Sequence, residues 1–563
     1  MFQNAHTHTA WLHQPEQPLS SASTGSLVGL SFAVKDNIDV EGWPTTAACP
    51  DFAYTAQQHA SVVQRLLNAG ASLHGKTNLD QFACGLNGTR SPYGAVPNAF
   101  DPTLVSGGSS SGSAYVVATG QVDFALGTDT AGSGRVPAGL NNIVGLKPSR
   151  GLISAYGVVP AAQAVDCVSI FARTVGCAAR VLATAMGLDP EDPYSRWLPM
   201  ASTPWGARFR FGVPADPVFW GDEMAQQAFA EAVVRLQAMG GEAVPVDFGV
   251  FNACADMLYG SALVAQRYAA IQTFFDAHEQ GVMEPVRSII AAGRGYSAAD
   301  LVTAQTRLAA LAQQAAPLWT DLDLLVVPTA PTHYSIEHMR ADPVNLNRNL
   351  GAYTNFVNLL DYAALSVPSS LRPDGLPFGV TLIGLSGSDW QLAELGQRFH
   401  HASGLPQGAT GEPLPEPQAI AGLVAEPSIR VAVVGAHLTG MPLNSQLTER
   451  GAKLVARTHT APCYRLYALP NTTPPKPGLL RVASGEGASI ELEVWSMPLA
   501  QYGSFVALVP QPLSIGTLAL DDGSTVQGFL CEPLALQGAD DITALGGWRA
   551  FIAKRSGTSV ASA

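Results

Sequence analysis

Short apolar runs alternate with amphipathic stretches through residues 30–400. Leu30–Val34 is typical of a buried strand, and the apolar spacing of Ala60–Gly70 predicts a helix that ends at its glycine. The small and apolar residues of Ser111–Gly120 predict a second, buried helix. Further strands are predicted at Ser72–Gly75, Phe124–Gly127, Leu324–Val327 and Phe378–Ile383. Strands that alternate with helices predict an α/β fold, with a mixed and mostly parallel central sheet covered by helices on both faces.

The composition changes at Leu405–Ile429, where prolines recur among Gly, Glu and Ala residues. Prolines at this density end helices and stiffen the chain, so residues 405–428 are predicted to be an interdomain linker. Beyond them, short β-branched or aromatic runs are separated by turn residues, and two of these runs flank Asp521–Ser524 as in a hairpin. Phe505–Val509 is another predicted strand. The predicted domains are a large one, 1–404, and a small β-rich α+β one, 429–563.

The composition excludes several classes of protein. Apolar residues make up 47% of the chain and charged residues only 13%, which suits large buried cores and argues against disorder. The formal net charge of −13 and the lack of a basic stripe argue against a nucleic-acid partner. The cysteines are scattered without metal-ligand spacing, so no metal or cofactor is predicted. The first residues lack the features of a signal peptide, and no run of about 18 apolar residues is present, so we expect a cytoplasmic protein without a membrane contact.

Two serine-bearing glycine segments, Ser106–Ser113 and Gly127–Gly134, are separated by one short hydrophobic stretch, and a lysine lies upstream in Phe32–Asn37. A serine hydroxyl is a weak nucleophile at neutral pH and needs a base within hydrogen-bond reach. A lysine can be that base only where burial or neighbouring cations hold it neutral. Together with a glycine run whose N–H groups can receive an oxyanion, these parts predict hydrolysis of an amide.

The first glycine segment also fits three other motifs, each less well. A flexible linker matches its composition, but a small-residue helix follows without a polar spacer. A phosphate-binding loop would end in Gly-Lys followed by Ser or Thr, which this segment lacks. Gly108–Gly112 formally matches the nucleophile elbow Gly-x-Ser-x-Gly, which would make Ser110 the nucleophile. That elbow needs a buried strand directly before it, and Pro102 disfavours one.

The segment Gly107–Ser149 resembles the signature of the amidase signature family. Four more blocks resemble that family and follow its usual order: Phe32–Ile38, Gly75–Asp80, Val326–Thr329 and Gly375–Val380. The resemblance implies a large amidase-signature domain and a catalytic triad of Lys35, Ser109 and Ser133. It also implies that the peptide bond before the first of these serines is cis.

By this resemblance Ser133 is the nucleophile, Ser109 the proton relay and Lys35 the general base. The lysine must then titrate near the working pH, about three pH units below its free value. Burial is expected to lower its pKa, and Lys147 or Arg135 is expected to add to the lowering.

The residues around the second serine have expected roles as well. The backbone N–H groups expected to face the developing oxyanion are those of Thr130, Ala131 and Gly132. Asp129 is expected to brace this loop and Arg135 to be a structural cation. Ser110 and Ser111 are expected to make local hydrogen bonds only.

Two segments indicate which kind of amide is the substrate. The loop Cys84–Gly94 and the segment Leu258–Ala269 resemble those of allophanate hydrolases, in which Tyr259 and Arg267 match a substrate-binding pair. The two residues are eight positions apart, which predicts that they share one face of a helix. Allophanate is a carboxylated urea, and a guanidinium fork suits its carboxylate. The resemblance thus implies a small anionic amide as the substrate.

Residues from 429 to 555 resemble the C-terminal domain of allophanate hydrolases, whose fold resembles that of γ-glutamylcyclotransferases. In that family the domain is linked to the breakdown of the first product, N-carboxycarbamate, to carbamate and carbon dioxide. His437 follows a glycine turn after a predicted strand and is the candidate functional residue here, with His459 the other imidazole of the domain. A role in dimerisation or docking is the alternative.

The resemblance implies hydrolysis of allophanate to ammonia and N-carboxycarbamate, ending as carbon dioxide and ammonia, in the breakdown of urea or cyanuric acid. It also implies a homodimer. Because the chain shows no biotin-carboxylase region, we expect any urea carboxylase linked to it to be a separate protein. Two alternatives stay open: an amidase for another small carboxylated amide, such as a malonamide-like compound, and a subunit of an amidotransferase.

Overall fold

A computed structural model describes residues 7–423 and 427–556 of the chain. The chain divides into two compact units, Met1–Val424 and Ala425–Ala563. Most of the predicted linker therefore belongs to the first unit. Asn142 Nδ2 donates hydrogen bonds to the carbonyls of Pro406 and Gly408, at 3.1 and 2.9 Å, and Gln397 Nε2 donates one to the carbonyl of Gln418. The proline-rich stretch is thus fixed by side chains of the first unit instead of spanning freely.

Within the described residues, eleven strands form the main sheet of the first unit. In spatial order they are Trp11–His13, Ser72–Thr77, Ser31–Lys35, Phe124–Asp129, Cys167–Ala172, Val144–Lys147, Ala363–Leu371, Pro377–Gly384, Leu324–Pro328, Phe209–Pro214 and Gly241–Val246. A small separate sheet pairs Pro44–Thr45 with Tyr54–Thr55.

The main sheet is mixed, as predicted, but it is not mostly parallel. Ser31–Lys35 is parallel to both of its neighbours, Ser72–Thr77 and Phe124–Asp129, and Phe209–Pro214 is likewise parallel to its two neighbours. The other six pairs, including those at the centre of the sheet, are antiparallel. Residues 372–376 account for one of these pairs, because so short a turn can only join antiparallel strands.

Helices cover both faces of the sheet, which confirms the predicted fold class. Phe32 and Val34 point into a core shared with the helices Ser61–Asn68, Val175–Ala185, Glu223–Ala238 and Asp389–Ser403. Ala33, between them, points to the opposite face, against the predicted buried helix, which the structure places at Ser111–Ala118. Further along that opposite face, Leu325 packs against Gly249–Gly260 and Ala298–Ala315. Alternate residues of a strand point to opposite faces of the sheet, so each set contacts a different layer of helices.

Shorter helices complete the first unit. The remaining α-helices are Thr7–Ala10, Val136–Leu140, Ala265–Ala270, Gln272–His278, Val286–Ala291, Ile336–Ala341, Asn345–Leu350 and Asn355–Leu359. Single 3₁₀ turns lie at Pro50–Phe52, Gln81–Ala83, Ala262–Val264, Glu279–Gly281, Ala292–Gly295 and Ala316–Thr320.

The second unit is β-rich with a few short helices, as predicted. Its larger sheet has the spatial order Lys453–His459, Glu491–Pro498, Ser428–Val433, Thr525–Cys531 and Leu513–Ala519. Its smaller sheet is Pro477–Arg481, Tyr464–Ala468 and Asp540–Asp541. The helices are Ser445–Thr448, Leu499–Val506 and Trp548–Ser556, with 3₁₀ turns at Pro533–Leu536 and Thr543–Leu545. The likeness to the γ-glutamylcyclotransferase fold stays a prediction.

The hairpin predicted around residues 521–524 is confirmed, because Leu513–Ala519 and Thr525–Cys531 pair antiparallel across that turn. The strand predicted at Phe505–Val509 is wrong, since Phe505 and Val506 are the last two residues of the helix Leu499–Val506. A short apolar run has no usable period, so the sequence alone does not separate a strand from a short buried helix there.

Candidate active site

Lys35 ends the strand Ser31–Lys35, in the parallel part of the sheet, and its side chain is fully buried. Its Nζ lies 2.7 Å from Ser109 Oγ and 2.6 Å from Thr128 Oγ1. The predicted base and the predicted relay are therefore within hydrogen-bond reach of each other. The sequence reasoning missed Thr128, because a threonine in a strand gives no signal of the side chain that it meets.

Burial lowers the pKa of Lys35 from 10.5 to about 7. Asp80, Asp166 and Asp129 act in the opposite direction, and Arg267 adds to the lowering. Desolvation thus outweighs three nearby carboxylates, and a neutral amine is available near neutral pH. The cation that assists is Arg267, where the sequence suggested Lys147 or Arg135.

Ser109 sits at a constrained point of the first glycine segment. The Gly108–Ser109 peptide bond is cis, as the family resemblance implied. A β-carbon on Gly108 would collide with the carboxylate of Asp80, so only glycine fits there. The Ser109 carbonyl accepts a 3.0 Å hydrogen bond from the backbone N–H of Asp80. Backbone contacts therefore fix this serine beside the lysine.

Ser133 follows the strand Phe124–Asp129 and is 2% exposed. Its hydroxyl donates a long hydrogen bond, 3.4 Å, to the carbonyl of Gly85, rather than one to Ser109. The structure therefore joins Lys35 with Ser109, while the Ser133 hydroxyl is bonded to a backbone carbonyl. Nothing in the sequence marked the Gly85 carbonyl as its partner.

Asp129 and Arg135 form a buried ion pair that braces the loop around Ser133. The Arg135 guanidinium donates to both carboxylate oxygens of Asp129, at 2.9 and 3.0 Å, and both side chains are fully buried. The same carboxylate accepts the backbone N–H groups of Gly132 and Gly134. Although burial acts to raise the pKa of Asp129, Arg135 and these donors lower it overall, so the carboxylate stays charged. These are the bracing and structural roles predicted for the pair.

One predicted oxyanion donor is already engaged. The Gly132 N–H donates to Asp129 Oδ1 at 2.9 Å and is not free for a ligand. The N–H groups of Thr130, Ala131 and Ser133, by contrast, have no hydrogen-bond partner in the described part of the chain. The available set therefore consists of these three, because the carboxylate that braces the loop takes the N–H between them.

The nucleophile-elbow alternative finds no support in the geometry. Residues 101–110 form turns and isolated bridges, where an elbow needs a strand. Ser110 Oγ donates to the Thr128 carbonyl and accepts from the Thr128 N–H, at 3.2 and 3.3 Å. Ser111 begins the helix Ser111–Ala118, and its buried Oγ has no partner among the described residues. No base contacts either hydroxyl in the described structure.

Tyr259 and Arg267 meet, although they do not share one helix. The first helix ends at Gly260, Ser261 is extended, and Arg267 lies in the next helix, Ala265–Ala270. Arg267 Nη2 nevertheless donates to the Tyr259 hydroxyl at 3.1 Å. The prediction of a single helix is wrong, because Ser261 caps a new 3₁₀ turn through a hydrogen bond from Leu263 N–H to its hydroxyl.

Arg267 presents a buried cation with free hydrogen-bonding capacity. Its side chain is 4% exposed, and Nη1 has no partner among the described residues. Burial acts to lower the pKa of Arg267, but Tyr259, Cys84 and Asp166 raise it overall, so the group stays charged. An unpaired buried guanidinium is costly unless an anion completes its hydrogen bonds. The free Nη1 is therefore able to bind an anion, and the charge of Arg267 also lowers the pKa of Lys35.

The second unit contains a separate cavity of about 210 Å³ lined by His437. The imidazole stacks on Phe529, with ring centroids 5.1 Å apart, and its Nε2 lies 2.9 Å from Gln446 Oε1. Lys476 also lines this cavity. Burial, aided by Lys476, lowers the pKa of His437 against the effect of the Gln446 hydrogen bond. His459 is instead more than half exposed, 4.0 Å from Asp521.

The part of the chain that the structure describes contains neither a metal-binding cluster nor a membrane-crossing helix. Among residues 7–423 and 427–556, no three His, Cys, Asp or Glu side chains are grouped so as to hold a metal ion. A helix with the length and apolarity needed to cross a membrane is not found in this part of the chain.

Comparison with protein families places the chain in a known group. The amidase family matches residues 1–393, and the allophanate hydrolase C-terminal domain matches residues 429–553. The first match covers more than half of the sequence, so the chain belongs to the amidase family. The predicted family is confirmed.

Two of the relatives match nearly the whole chain, and a third matches about two thirds of it. The urea amidolyase of Saccharomyces cerevisiae is 44% identical over 543 residues, covering 93% of this chain but 29% of the yeast protein. The chain therefore spans less than a third of that relative's length. A solved allophanate hydrolase of Kluyveromyces lactis is 42% identical with a TM-score of 0.76, covering 94% of this chain and 89% of that one. A glutamyl-tRNA(Gln) amidotransferase subunit of Haloarcula marismortui is 33% identical over 412 residues, 68% of this chain and 97% of that relative.

Proposed function

We propose that the chain hydrolyses allophanate, releasing ammonia and N-carboxycarbamate, with Ser133 as the nucleophile. The carrying observation is the buried Lys35 amine, with a pKa lowered to about 7, 2.7 Å from Ser109 Oγ. The similarity to allophanate hydrolase over both units supports the choice of substrate. The amidotransferase relatives match about two thirds of the chain, so they are a weaker guide.

The reaction begins when the Ser133 hydroxyl turns from the Gly85 carbonyl toward Ser109. Neutral Lys35 donates to Thr128 Oγ1 and uses its lone pair to accept the Ser109 proton, while Ser109 accepts the proton of Ser133. Ser133 Oγ then forms a bond to the terminal amide carbon of allophanate. The carbonyl oxygen becomes an oxyanion.

In this proposal the N–H groups of Thr130, Ala131 and Ser133, which have no partner among the described residues, stabilise that oxyanion. The proton held by Lys35 returns through Ser109 to the amide nitrogen, the C–N bond breaks, and ammonia leaves. Water then attacks the acyl-enzyme with the same base, which frees N-carboxycarbamate and restores the Ser133 hydroxyl.

Arg267 and Tyr259 select the substrate. The free Nη1 of Arg267 suits a carboxylate oxygen, and this charge-assisted bond satisfies a buried donor. Burial raises the pKa of Tyr259, so its hydroxyl stays protonated. Because that oxygen already accepts from Arg267, its proton is free to donate to the urea oxygen or carboxylate of the substrate.

Ammonia release from allophanate by the purified chain tests this proposal. Malonamate, in which a methylene replaces the bridging N–H, and uncharged malonamide are the competing substrates. We expect allophanate to have the highest kcat/KM of the three. Malonamide should have the lowest, because allophanate and malonamate each carry a carboxylate for Arg267 and malonamide does not. A chain that prefers malonamide, or that releases no ammonia from allophanate, would contradict the proposal.

For the second unit we propose that the His437 cavity receives N-carboxycarbamate and promotes its loss of carbon dioxide. One C–N bond breaks with its electrons moving to nitrogen, which takes up a proton to give carbamate. The cavity supports this with a cation, Lys476, and an imidazole that can carry the proton. Carbamate then decomposes to ammonia and carbon dioxide. A dimerisation or docking role is the alternative.

Carbon-13 NMR of labelled allophanate distinguishes the two roles of the second unit. With His437→Gln we expect the N-carboxycarbamate signal to persist longer than with wild type, while His459→Gln behaves as wild type. Equal lifetimes in all three proteins would favour docking. We further propose that a urea carboxylase activity supplies the substrate and that the chain forms a homodimer. Light scattering of the purified protein tests the homodimer.

A further inference from the structure

The loop 129–134 is held from one side by the short helix Asn355–Leu359 and the residue before it. Two side chains reach the loop from there, Thr354 and Asn358, and both are fully buried. Both contact carbonyl groups of the loop, so both influence how its peptide planes are oriented.

Both polar atoms of the Asn358 side chain form hydrogen bonds. Its Nδ2 donates to the Asp129 carbonyl at 2.7 Å and to the Val165 carbonyl at 3.0 Å, and its Oδ1 accepts from Arg135 Nη2 at 3.1 Å. The side chain therefore ties the end of the strand Phe124–Asp129 to the segment just before the strand Cys167–Ala172 and to the bracing arginine. A fully satisfied buried amide has one stable orientation.

The Asp129 carbonyl, which accepts from Asn358, belongs to the same peptide plane as the Thr130 N–H. In a trans peptide the C=O and the N–H point in opposite directions. Fixing the Asp129 carbonyl toward Asn358 therefore fixes the Thr130 N–H in the opposite direction. That N–H has no partner among the described residues. The Thr130 side chain is held as well, since its Oγ1 donates to Asp166 at 2.5 Å.

Thr354 makes a similar bond with a different consequence. Its Oγ1 donates to the Ala131 carbonyl at 2.7 Å. The N–H in that peptide plane belongs to Gly132 and is engaged by Asp129 Oδ1. A β-carbon on Gly132, whose φ is +133°, would collide with Thr354 Oγ1. Thr354 therefore holds a peptide that has no donor left for a ligand.

We infer that Asn358 is a positioning residue for the hydrolysis, because it orients the Thr130 N–H through the Asp129 carbonyl. This inference rests on the proposed oxyanion role of that N–H. Asn358 does not touch the substrate and moves no proton. Its loss lowers the stabilisation of the oxyanion and leaves the titration of Lys35 and the binding of the carboxylate unchanged.

Asn358→Asp tests the inference, since aspartate keeps the shape and the acceptor for Arg135 but cannot donate to the Asp129 carbonyl. Thr354→Val is the matched variant from the same side of the loop. Asn142→Asp is the stability control, because Asn142 is also buried and also donates to two carbonyls, those of Pro406 and Gly408, which lie outside this loop. The measurements are kcat, KM and the pH profile with allophanate, and the rate at which a fluorophosphonate labels Ser133.

We expect Asn358→Asp to lower kcat and the labelling rate by about 10- to 100-fold, with KM unchanged. Both rates are compared on the high-pH plateau, because the added carboxylate favours protonated Lys35 as Asp129 does and so moves the pH midpoint upward. Thr354→Val should lose less than about tenfold, and Asn142→Asp should keep wild-type values in its folded fraction. Equal losses in Asn358→Asp and Thr354→Val, or a change confined to KM, would overturn the inference. If Asn358→Asp does not fold, Asn358→Leu replaces it, and failure of both to fold would also overturn the inference. Wild type that is labelled at Ser133 but leaves allophanate intact would refute the proposed substrate alone, with the labelling rates still deciding the role of Asn358.

Discussion

Lys35 in the first unit and His437 in the second are both bases whose pKa burial lowers, but their surroundings differ. Lys35 is fully enclosed and has the hydroxyls of Ser109 and Thr128 within 2.7 Å. His437 is half-buried, stacks on an aromatic ring and lines an open cavity, and Gln446 is its hydrogen-bond partner.

The difference separates two kinds of chemistry. A base becomes part of nucleophilic catalysis only when a hydroxyl or thiol is close enough to give it a proton. The first unit meets this condition, and its buried guanidinium adds a site for an anion. The second unit combines an imidazole with a lysine and room for a small ligand, which suits proton transfer to a bound molecule without a covalent intermediate.

The largest expected effect is that of removing the nucleophile. Ser133→Ala should reduce ammonia release from allophanate by about 10⁴-fold or more, since no other serine lies in this loop to replace it. Ser110→Ala is the control, because its hydroxyl contacts only the Thr128 backbone. Steady-state assays of both variants decide between the loop serine and the elbow serine. Activity that disappears in Ser110→Ala and survives in Ser133→Ala would reverse the assignment.

Replacing the base should cost activity and add stability. Lys35→Met should reduce kcat by about 10³-fold. A pKa lowered from 10.5 to about 7 corresponds to roughly 5 kcal/mol against the charged form, which the methionine removes. The hydroxyls left behind offset about 3 kcal/mol of this, so we expect the free energy of unfolding at pH 7 to rise by about 2 kcal/mol.

The pH dependence of stability checks the same point. Because the pKa of Lys35 is lower in the folded state, the unfolded chain binds more protons between pH 7 and 10.5, and this residue makes stability rise with pH there. Below about pH 7 the lysine is protonated in both states and its contribution is constant. Denaturant titrations of wild type and Lys35→Met give this difference, and a methionine variant less stable than wild type would contradict the desolvated lysine.

Substrate binding should depend on the buried guanidinium. Arg267→Lys should lower kcat/KM for allophanate by about 100-fold, mostly through KM, because an ammonium lacks the planar fork that pairs with a carboxylate. Arg294→Lys, at a surface pair with Asp276 and Glu279, should change kcat/KM less than about twofold. A larger loss in kcat than in KM would mean that Arg267 acts on the transition state instead.

The smallest expected effect concerns the other unit. His437→Gln should leave the first release of ammonia within about twofold of wild type, because the triad and Arg267 all lie in the first unit. Single-turnover assays of ammonia measure this step separately from later decomposition. A loss above tenfold would show that the second unit takes part in the amide chemistry.

The sequence predicted those parts of the site that lie within motifs. The apolar run at residues 30–34 and the small-residue run from residue 111 predicted the strand that ends at Lys35 and the helix that begins two residues after Ser109. The hairpin of the second unit followed from its turn residues. These features are local, so propensity and periodicity carry them.

The parts that were missed depend on contacts between distant segments. The Gly85 carbonyl that holds Ser133, the amide of Asn358 and the hydroxyl of Thr128 become neighbours of the triad only in the folded chain. The engagement of the Gly132 N–H was equally invisible, since nothing in a glycine-rich run tells which N–H groups a carboxylate takes. The single helix predicted for Tyr259 and Arg267 failed because Ser261 caps a new turn.

Titration of Lys35 tests the central claim most directly. The chain has six lysines, so carbon-13 labelling at the ε position gives six NMR signals, and Lys35→Met identifies the one that matters. We predict that the Lys35 signal titrates with a midpoint near pH 7, together with the decline of kcat/KM at lower pH. A midpoint near 10, the value of a solvated lysine, would contradict the account.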